Sequence, residues 1–269
     1  MPHDPAHIVI SRHWVTSGAT RYHYRVAGPP DAREIPLVLV HGLGVSSVYW
    51  ERLQPLLARE RCVYALDLPG FGHTTRPRAV LNTVALARAL DDWMTALHLP
   101  LAHLLGHSLG GQVVAECARA HPNRVSRLIL VGSTVGTRGA RAPRQLLRLL
   151  GDAARESPSL LPHILRDYLR AGPRRVLGTD MTADDDDTVA TIARLSLPLL
   201  VVRGSRDNVV PLTETRQALE AAPHALFIEV ADAAHAVHWS RPEALAAVVE
   251  DFLAIPGERL RKRTHCAKE

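Results

Sequence analysis

Two hydrophobic patterns alternate along most of the chain. Short runs that are almost wholly apolar, including Leu37–Val40, Cys62–Leu66 and Val125–Val131, are separated by longer segments with apolar residues at helical spacing. Buried strands that alternate with helices are typical of a mostly parallel sheet covered by helices on both faces. The pattern therefore predicts an α/β fold.

The amino-terminal stretch has a different period. His7–Val15 and Thr20–Val26 alternate apolar and polar residues, and Ser17-Gly18-Ala19 lies between them. Two such segments joined by a glycine-containing turn predict a β-hairpin. We expect this hairpin to add an antiparallel edge to the sheet.

The remaining elements follow in strict alternation. A strand is predicted at Leu101–Leu105, and a helix follows Gly111 to about His121. The other predicted helices are Ser46–Arg59, Asn82–Leu97, Thr213–Ala221 and Pro242–Leu253, and the last two strands are Pro198–Arg203 and Leu226–Val230.

The alternation stops after the strand that ends at Val131 and resumes at Pro198. Residues 134–195 contain no strand pattern, and a segment of that length is typical of a functional insertion. We predict a small helical cap with helices around Gln145–Ala154, Leu160–Ala171 and Asp185–Leu195. The predicted core comprises residues 1–133 and 196–257, the cap comprises 134–195, and 258–269 form a basic, flexible tail.

Composition narrows the function classes. The net charge is +5, but the basic stretches Arg138–Arg175 and Arg259–Arg263 show no recognition-helix pattern and contain a single Phe, Tyr or Trp residue, Tyr168, which favours a solvated surface over a nucleic-acid site. No apolar run is long enough for stable membrane insertion, and Met1–Pro5 lacks the features of a signal peptide, so we expect a cytoplasmic protein. Asp184–Asp187 suits a solvated helix N-terminus better than a metal site. We expect no metal and no organic cofactor.

The junction between the strand at Leu101–Leu105 and the next helix carries Gly106-His107-Ser108-Leu109-Gly110. Gly-x-Ser-x-Gly by itself arises by chance in roughly one chain of this length in ten. On a sharp strand-to-helix turn, however, the serine projects above the sheet edge, and the flanking glycines leave room for that turn. The N–H groups that begin the helix favour developing negative charge near Ser108.

A serine needs a base to take its proton and an acid to orient the base. Asp207 follows the strand Pro198–Arg203, and His235 follows Leu226–Val230. Because the carboxyl ends of parallel strands meet at one edge of a sheet, Ser108, Asp207 and His235 are expected to converge there. Asp232, three residues before His235, is a rival for the acid.

Over about residues 20–255, the chain resembles the α/β-hydrolase fold superfamily. The resemblance rests on the His41-Gly42-Leu43-Gly44 loop, the Gly-His-Ser-Leu-Gly-Gly elbow at 106–111, the short helical cap and the Ser, Asp, His order. It implies Ser108 as nucleophile, Asp207 as acid and His235 as base, with an oxyanion hole formed by the backbone N–H groups of Leu43 and Leu109. The segment Asp67–Gly72 matches a structural loop of this branch, whereas Ala234 replaces the usual glycine.

Five residues beside these motifs are candidates for the substrate pocket: His41, Gly42, His107, His238 and Trp239. Alternatives remain open for them. His41 also suits a brace for the oxyanion loop, His107 is expected to point away from the serine, and His238 and Trp239 also suit packing.

These assignments predict a serine hydrolase that cleaves carboxylic esters of small to medium substrates through an acyl-enzyme. A carbon–carbon bond hydrolase of the meta-cleavage type is the first alternative because Trp239 resembles an aromatic residue near its base, although that family usually has Asn at the position of His107. Lactonase, thioesterase and perhydrolase activities remain open, and a slow-turnover ligand receptor is the non-enzymatic alternative. Ser108 argues against the dehalogenases and epoxide hydrolases of this fold, which use Asp.

Overall fold

The computed structural model describes residues 8–133, 156–183, 188–222 and 224–256. In these ranges eight strands form one sheet in the order β1-β2-β4-β3-β5-β6-β7-β8. The strands are β1 Ser11–Ser17, β2 Thr20–Ala27, β3 Leu37–Val40, β4 Val63–Leu66, β5 Ala102–His107, β6 Val125–Val131, β7 Leu199–Gly204 and β8 Leu226–Val230.

The sheet is mostly parallel, as the sequence predicts. All neighbouring strands from β4 to β8 pair in parallel, whereas β2 pairs antiparallel with both β1 and β4. The predicted hairpin is confirmed, and Gly18 occupies its turn at a φ of 56°.

Helices cover both faces of the sheet. They are α1 Gln54–Leu57, α2 Thr83–Ala96, α3 Leu109–Ala120, α4 Leu161–Ala171, α5 Pro173–Ala183, α6 Thr188–Ala193, α7 Leu212–Ala221, α8 Val237–Ser240 and α9 Pro242–Ala254. The predicted continuous helix Ser46–Arg59 is wrong, because the chain there forms a 3₁₀ turn at Ser47–Trp50 followed by the short α1.

The continuous apolar runs of the strands are explained by the two covered faces. Val38 and Leu104 pack in one cluster with Trp93 of α2, while Leu37 and Leu39 pack in a second cluster on the other face. Successive side chains point to opposite faces of the sheet, so a strand that is buried on both faces favours apolar residues at nearly every position. The paired strands thereby form a rigid sheet whose carboxyl edge carries the candidate site.

The described part of the predicted cap, residues 156–183 and 188–195, is helical and contains no strand. It packs on the core through Leu160, Ile164 and Tyr168, which contact a cluster that includes Tyr49 and Trp239. The predicted helix Gln145–Ala154 and the aspartates 184–187 lie outside the described residues.

The described ranges lack two kinds of feature. No helix there has the length and apolar character needed to cross a membrane. The same ranges contain no group of three or more His, Cys, Asp or Glu side chains arranged to hold a metal ion.

Candidate active site

Ser108 lies on the sharp turn between β5 and α3. Its backbone adopts φ 54° and ψ −121°, a conformation that non-glycine residues rarely take and that is commonly found at functional sites. The turn is tight: a Cβ on Gly106 would lie 2.3 Å from the carbonyl oxygen of Gly110. The Ser108 N–H donates to the Val131 carbonyl at 3.0 Å, which holds the turn against the end of β6.

Asp207 and His235 form a buried pair beyond the ends of β7 and β8. The His235 Nδ1–H donates to Asp207 Oδ2 at 2.9 Å, and Oδ1 accepts the backbone N–H groups of Val209 and Val210 at 2.8 and 2.9 Å. Burial alone would raise the pKa of Asp207, but His235 and the Val210 N–H outweigh it and lower the pKa below the ordinary value. Asp207 is therefore a carboxylate that fixes the orientation of the His235 ring.

The end of β6 connects this pair to the elbow. Gly132, with φ 50°, lies so close that a Cβ would be 3.1 Å from His235 Nδ1 and 3.3 Å from Asp207 Oδ2. The preceding residue, Val131, accepts the N–H of Ser108. The three predicted residues thus share the carboxyl edge of the sheet.

The rival acid Asp232 has different surroundings. Its side chain is 55% exposed and pairs with Arg206, which is itself largely exposed. Its N–H donates to the Ser205 hydroxyl at 2.9 Å. Asp207, which is buried and bonded to His235, is therefore the better candidate for the acid.

The loop after β3 lies directly against the elbow. A Cβ on Gly42 would be 3.1 Å from His107 Nδ1 and 3.3 Å from the Cβ of Ser108. His41 is fully buried, accepts the N–H of Leu68 at Nε2, and donates from Nδ1 to its neighbour's carbonyl at 2.8 Å. Burial lowers the pKa of His41, which fits this neutral tautomer. His41 braces the loop, and the oxyanion role of Leu43 and Leu109 stays a prediction.

His107 lies behind His235. Its Nε2–H donates to the carbonyl oxygen of His235 at 3.1 Å, and the two rings are 4.6 Å apart. Burial, and then the charge of His235, hold the pKa of His107 well below its ordinary value. A neutral His107 therefore links the backbone of His235 to the loop after β3 at Gly42.

The other two candidate pocket residues are also buried. His238 has no exposed surface and packs 4.1 Å from Tyr49 and 4.7 Å from His107, measured between ring centroids. Trp239 lies under the guanidinium of Arg52 and donates to the Ser159 hydroxyl at 3.0 Å. These contacts favour packing, and a role in lining the substrate pocket stays a prediction.

Replacing His107 with leucine is expected to lower kcat on the order of tenfold or more with little change in KM, because the backbone of the base loses its anchor. His107→Gln keeps a side-chain N–H at a similar distance and should recover most of that loss. His103→Leu is the matched control, since His103 is a buried histidine on the same strand. Equal losses of kcat in His107→Leu and His107→Gln would contradict the anchoring role.

A second buried histidine–aspartate pair, which no local sequence pattern indicates, lies at the start of the loop after β4. The His23 Nδ1–H donates to Asp67 Oδ2 at 2.7 Å, and Asp67 also accepts the N–H groups of Ser47 and His73 at 2.6 and 2.8 Å. Burial alone would raise the pKa of Asp67, but His23, His41 and the His73 N–H outweigh it and lower the pKa to about 2. The pair fixes the loop after β4 against the 3₁₀ turn at Ser47–Trp50.

This pair predicts a pH-dependent stability. A carboxyl whose pKa is lower in the folded chain stabilises the fold above its ordinary pKa, and the contribution is lost as pH falls toward 2. We expect Asp67→Asn to lower the free energy of unfolding by about 2 kcal/mol at neutral pH. Urea titrations of both proteins should show this difference shrinking between about pH 4 and pH 2, whereas a constant difference would contradict the assignment.

Comparisons with known proteins agree with this geometry. Residues 35–160 match the family model of the alpha/beta hydrolase fold. The chain is 30% identical over 245 residues to a pimeloyl-acyl-carrier protein methyl ester esterase of Photobacterium profundum, covering 94% of that protein and 81% of this chain. It is 31% identical to the dihydrolipoyllysine-residue acetyltransferase component of the acetoin cleaving system of Pseudomonas putida, but it spans only 62% of that protein's length.

Among solved structures, the 2-hydroxy-6-oxo-6-phenylhexa-2,4-dienoate hydrolase of a Rhodococcus strain superposes with a TM-score of 0.77. The match covers 91% of this chain and 99% of that one at 24% identity, which supports a common fold. Together with the sheet order and the elbow, these similarities establish that the chain belongs to the alpha/beta hydrolase superfamily and is a hydrolase.

Proposed function

We propose that the chain hydrolyses carboxylic esters of small to medium size, with Ser108 as nucleophile, His235 as general base and Asp207 as the orienting acid. The observation that carries the proposal is the buried Asp207–His235 hydrogen bond beside the strained turn of Ser108. This combination supplies a nucleophile, a base and a fixed tautomer at one edge of the sheet. The esterase from Photobacterium profundum, which this chain matches over most of its length, supports an ester as the substrate.

In the proposed mechanism, His235 takes the hydroxyl proton of Ser108 as the oxygen attacks the ester carbonyl. The N–H groups of Leu43 and Leu109 donate to the resulting oxyanion. Collapse breaks the bond to the alcohol, which leaves with the proton from His235 and yields an acyl-enzyme. Water, deprotonated by His235, then attacks the acyl carbonyl and releases the acid and free Ser108.

The carbon–carbon bond hydrolase receives less support. The Rhodococcus enzyme is only 24% identical, so its similarity supports the fold and not the reaction. The residue that suggested this alternative, Trp239, is 1% exposed and already has its ring N–H bonded to Ser159. An ester substrate therefore remains the better proposal, and we propose that the cap at 134–195 selects its size.

Hydrolysis of p-nitrophenyl esters with acyl chains from C2 to C12 tests this function. The proposal predicts many turnovers per chain, with a chain-length optimum set by the cap. A reaction that stops after about one equivalent of p-nitrophenol would indicate a slow receptor instead. Turnover of lactones or thioesters without ester hydrolysis would reject the substrate class while leaving the triad intact.

A further inference from the structure

A surface cleft lies between the loop after β4 and the cap helix α4. Its volume is about 510 Å³, and its lining residues are Gly72, His73, Thr74, Arg76 and Arg170. The first four belong to the core loop, whereas Arg170 extends from α4. The cleft is separate from the Asp207–His235 pair, which lies beyond the ends of β7 and β8.

The described lining of this cleft carries two arginines and no carboxylate. Among the described residues, neither Arg76 nor Arg170 has a carboxylate partner. Arg170 instead contacts the ring of His73, at 3.2 Å from Nη1 to Nε2 and 2.9 Å from Nη2 to Nδ1. A neutral imidazole accepts only one hydrogen bond, so this contact leaves guanidinium N–H groups available.

The carboxylate that accepts the His73 N–H, that of Asp67, is committed to partners beneath the cleft. Asp67 is fully buried and directs its oxygens at His23 and at the N–H groups of Ser47 and His73. The Thr74 hydroxyl is also committed, since it donates to the Asp67 carbonyl at 2.7 Å and accepts the His23 N–H at 2.8 Å. The donors left to face a ligand are the two guanidinium groups and the ring of His73.

We infer that this cleft binds an anionic oxygen group, a carboxylate or a phosphate, between Arg76, Arg170 and His73. Guanidinium groups match both anions in geometry and charge, and a bound anion would neutralise part of the positive charge that Arg76 and Arg170 bring to the cleft. The pKa of His73 also indicates an excess of positive charge. It is lowered by burial and by the charges of Arg170, His23 and Arg12, and it is raised by Asp67. An anion in the cleft would offset that excess of positive charge.

The position of the cleft favours an anion that belongs to the substrate. Its loop is hydrogen-bonded to the oxyanion loop region through Leu68 N–H to His41 Nε2 and through Ser47 N–H to Asp67 Oδ1. A substrate that reached both the cleft and Ser108 would be an ester with a second, free acid group. This part of the inference rests on the proposed function, whereas anion binding itself does not.

Thermal unfolding with inorganic phosphate tests anion binding without any catalytic step. At constant ionic strength, phosphate should raise the Tm of the wild-type chain, and Arg76→Gln with Arg170→Gln should abolish the rise. Each single variant should weaken the apparent affinity about tenfold, the usual loss for a charge-assisted hydrogen bond. Arg88→Gln, an exposed arginine on α2, is the matched control and should behave as wild type. An equal rise in the double variant, or no rise in wild type, would overturn the site.

A matched ester pair separates a substrate group from a free anion. The p-nitrophenyl monoester of glutaric acid carries a free carboxylate that p-nitrophenyl butyrate lacks. If the cleft holds a substrate group, the double variant should raise KM about tenfold or more for the monoester only. If phosphate binds but the double variant changes KM equally for both esters, the cleft binds a free anion and does not hold a group of the substrate. If the wild-type chain hydrolysed neither ester, the proposed function would be rejected, whereas the phosphate result would still hold.

Discussion

Ser108→Ala is expected to lower kcat for p-nitrophenyl esters on the order of 10⁶-fold, the loss typical of removing the nucleophile from a serine hydrolase. The alanine has no oxygen to attack the carbonyl, so only the oxyanion donors and substrate binding remain. KM should change little because the hydroxyl contributes to bond formation and not to binding of the ground state. Initial rates over a range of ester concentrations measure both quantities.

Ser133→Ala is the control for that variant. The Ser133 hydroxyl donates to the backbone carbonyl of Ser108 at 3.2 Å, so its loss disturbs the same turn without removing the nucleophile. We expect a loss of about tenfold or less in kcat. If Ser108→Ala kept wild-type turnover, Ser108 could not be the nucleophile.

Asp207→Asn is expected to lower kcat/KM on the order of 10⁴-fold, as for the acid of other serine triads. The reason is the tautomer of the base. The N–H groups of Val209 and Val210 will hold the amide oxygen at the Oδ1 position, which turns the amide NH₂ toward His235 Nδ1. His235 would then carry its proton on Nε2 and could not accept one from Ser108.

Asp232→Asn provides the comparison for Asp207→Asn. Asp232 is exposed and pairs with Arg206, and an exposed ion pair contributes little. We expect kcat/KM within about twofold of wild type. Equal and mild losses in the two variants would reject Asp207 as the acid. Thermal unfolding of both proteins separates a catalytic effect from loss of the fold.

The sheet could be predicted from the sequence because both of its faces are covered. The runs Leu37–Val40 and Val125–Val131 leave few alternatives to buried parallel strands. The prediction of a continuous helix over Ser46–Arg59 is wrong because it follows the apolar spacing alone. Pro55 lacks the N–H that a continuous helix needs, and a short helix begins beside it instead.

The catalytic candidates were also predictable, since Ser108, Asp207 and His235 each follow a strand that the hydrophobic pattern identifies. Contacts between segments that are distant in the sequence could not be predicted in this way. The His23–Asp67 pair depends on the antiparallel register of β2 and β4, in which Tyr24 faces Leu66. The contact of His107 with His235 joins residues 128 positions apart, and that of Arg170 with His73 joins residues 97 apart. No local pattern in the sequence specifies such pairs.

Covalent trapping shows whether Ser108 is the nucleophile that His235 and Asp207 activate. The chain would be inactivated with a fluorophosphonate, digested, and mapped by mass spectrometry alongside Ser108→Ala and Asp207→Asn. We expect one label per chain on Ser108, none on the alanine variant, and much slower labelling when Asp207 is replaced. Complete inactivation with Ser108 unmodified would show that the nucleophile is another residue.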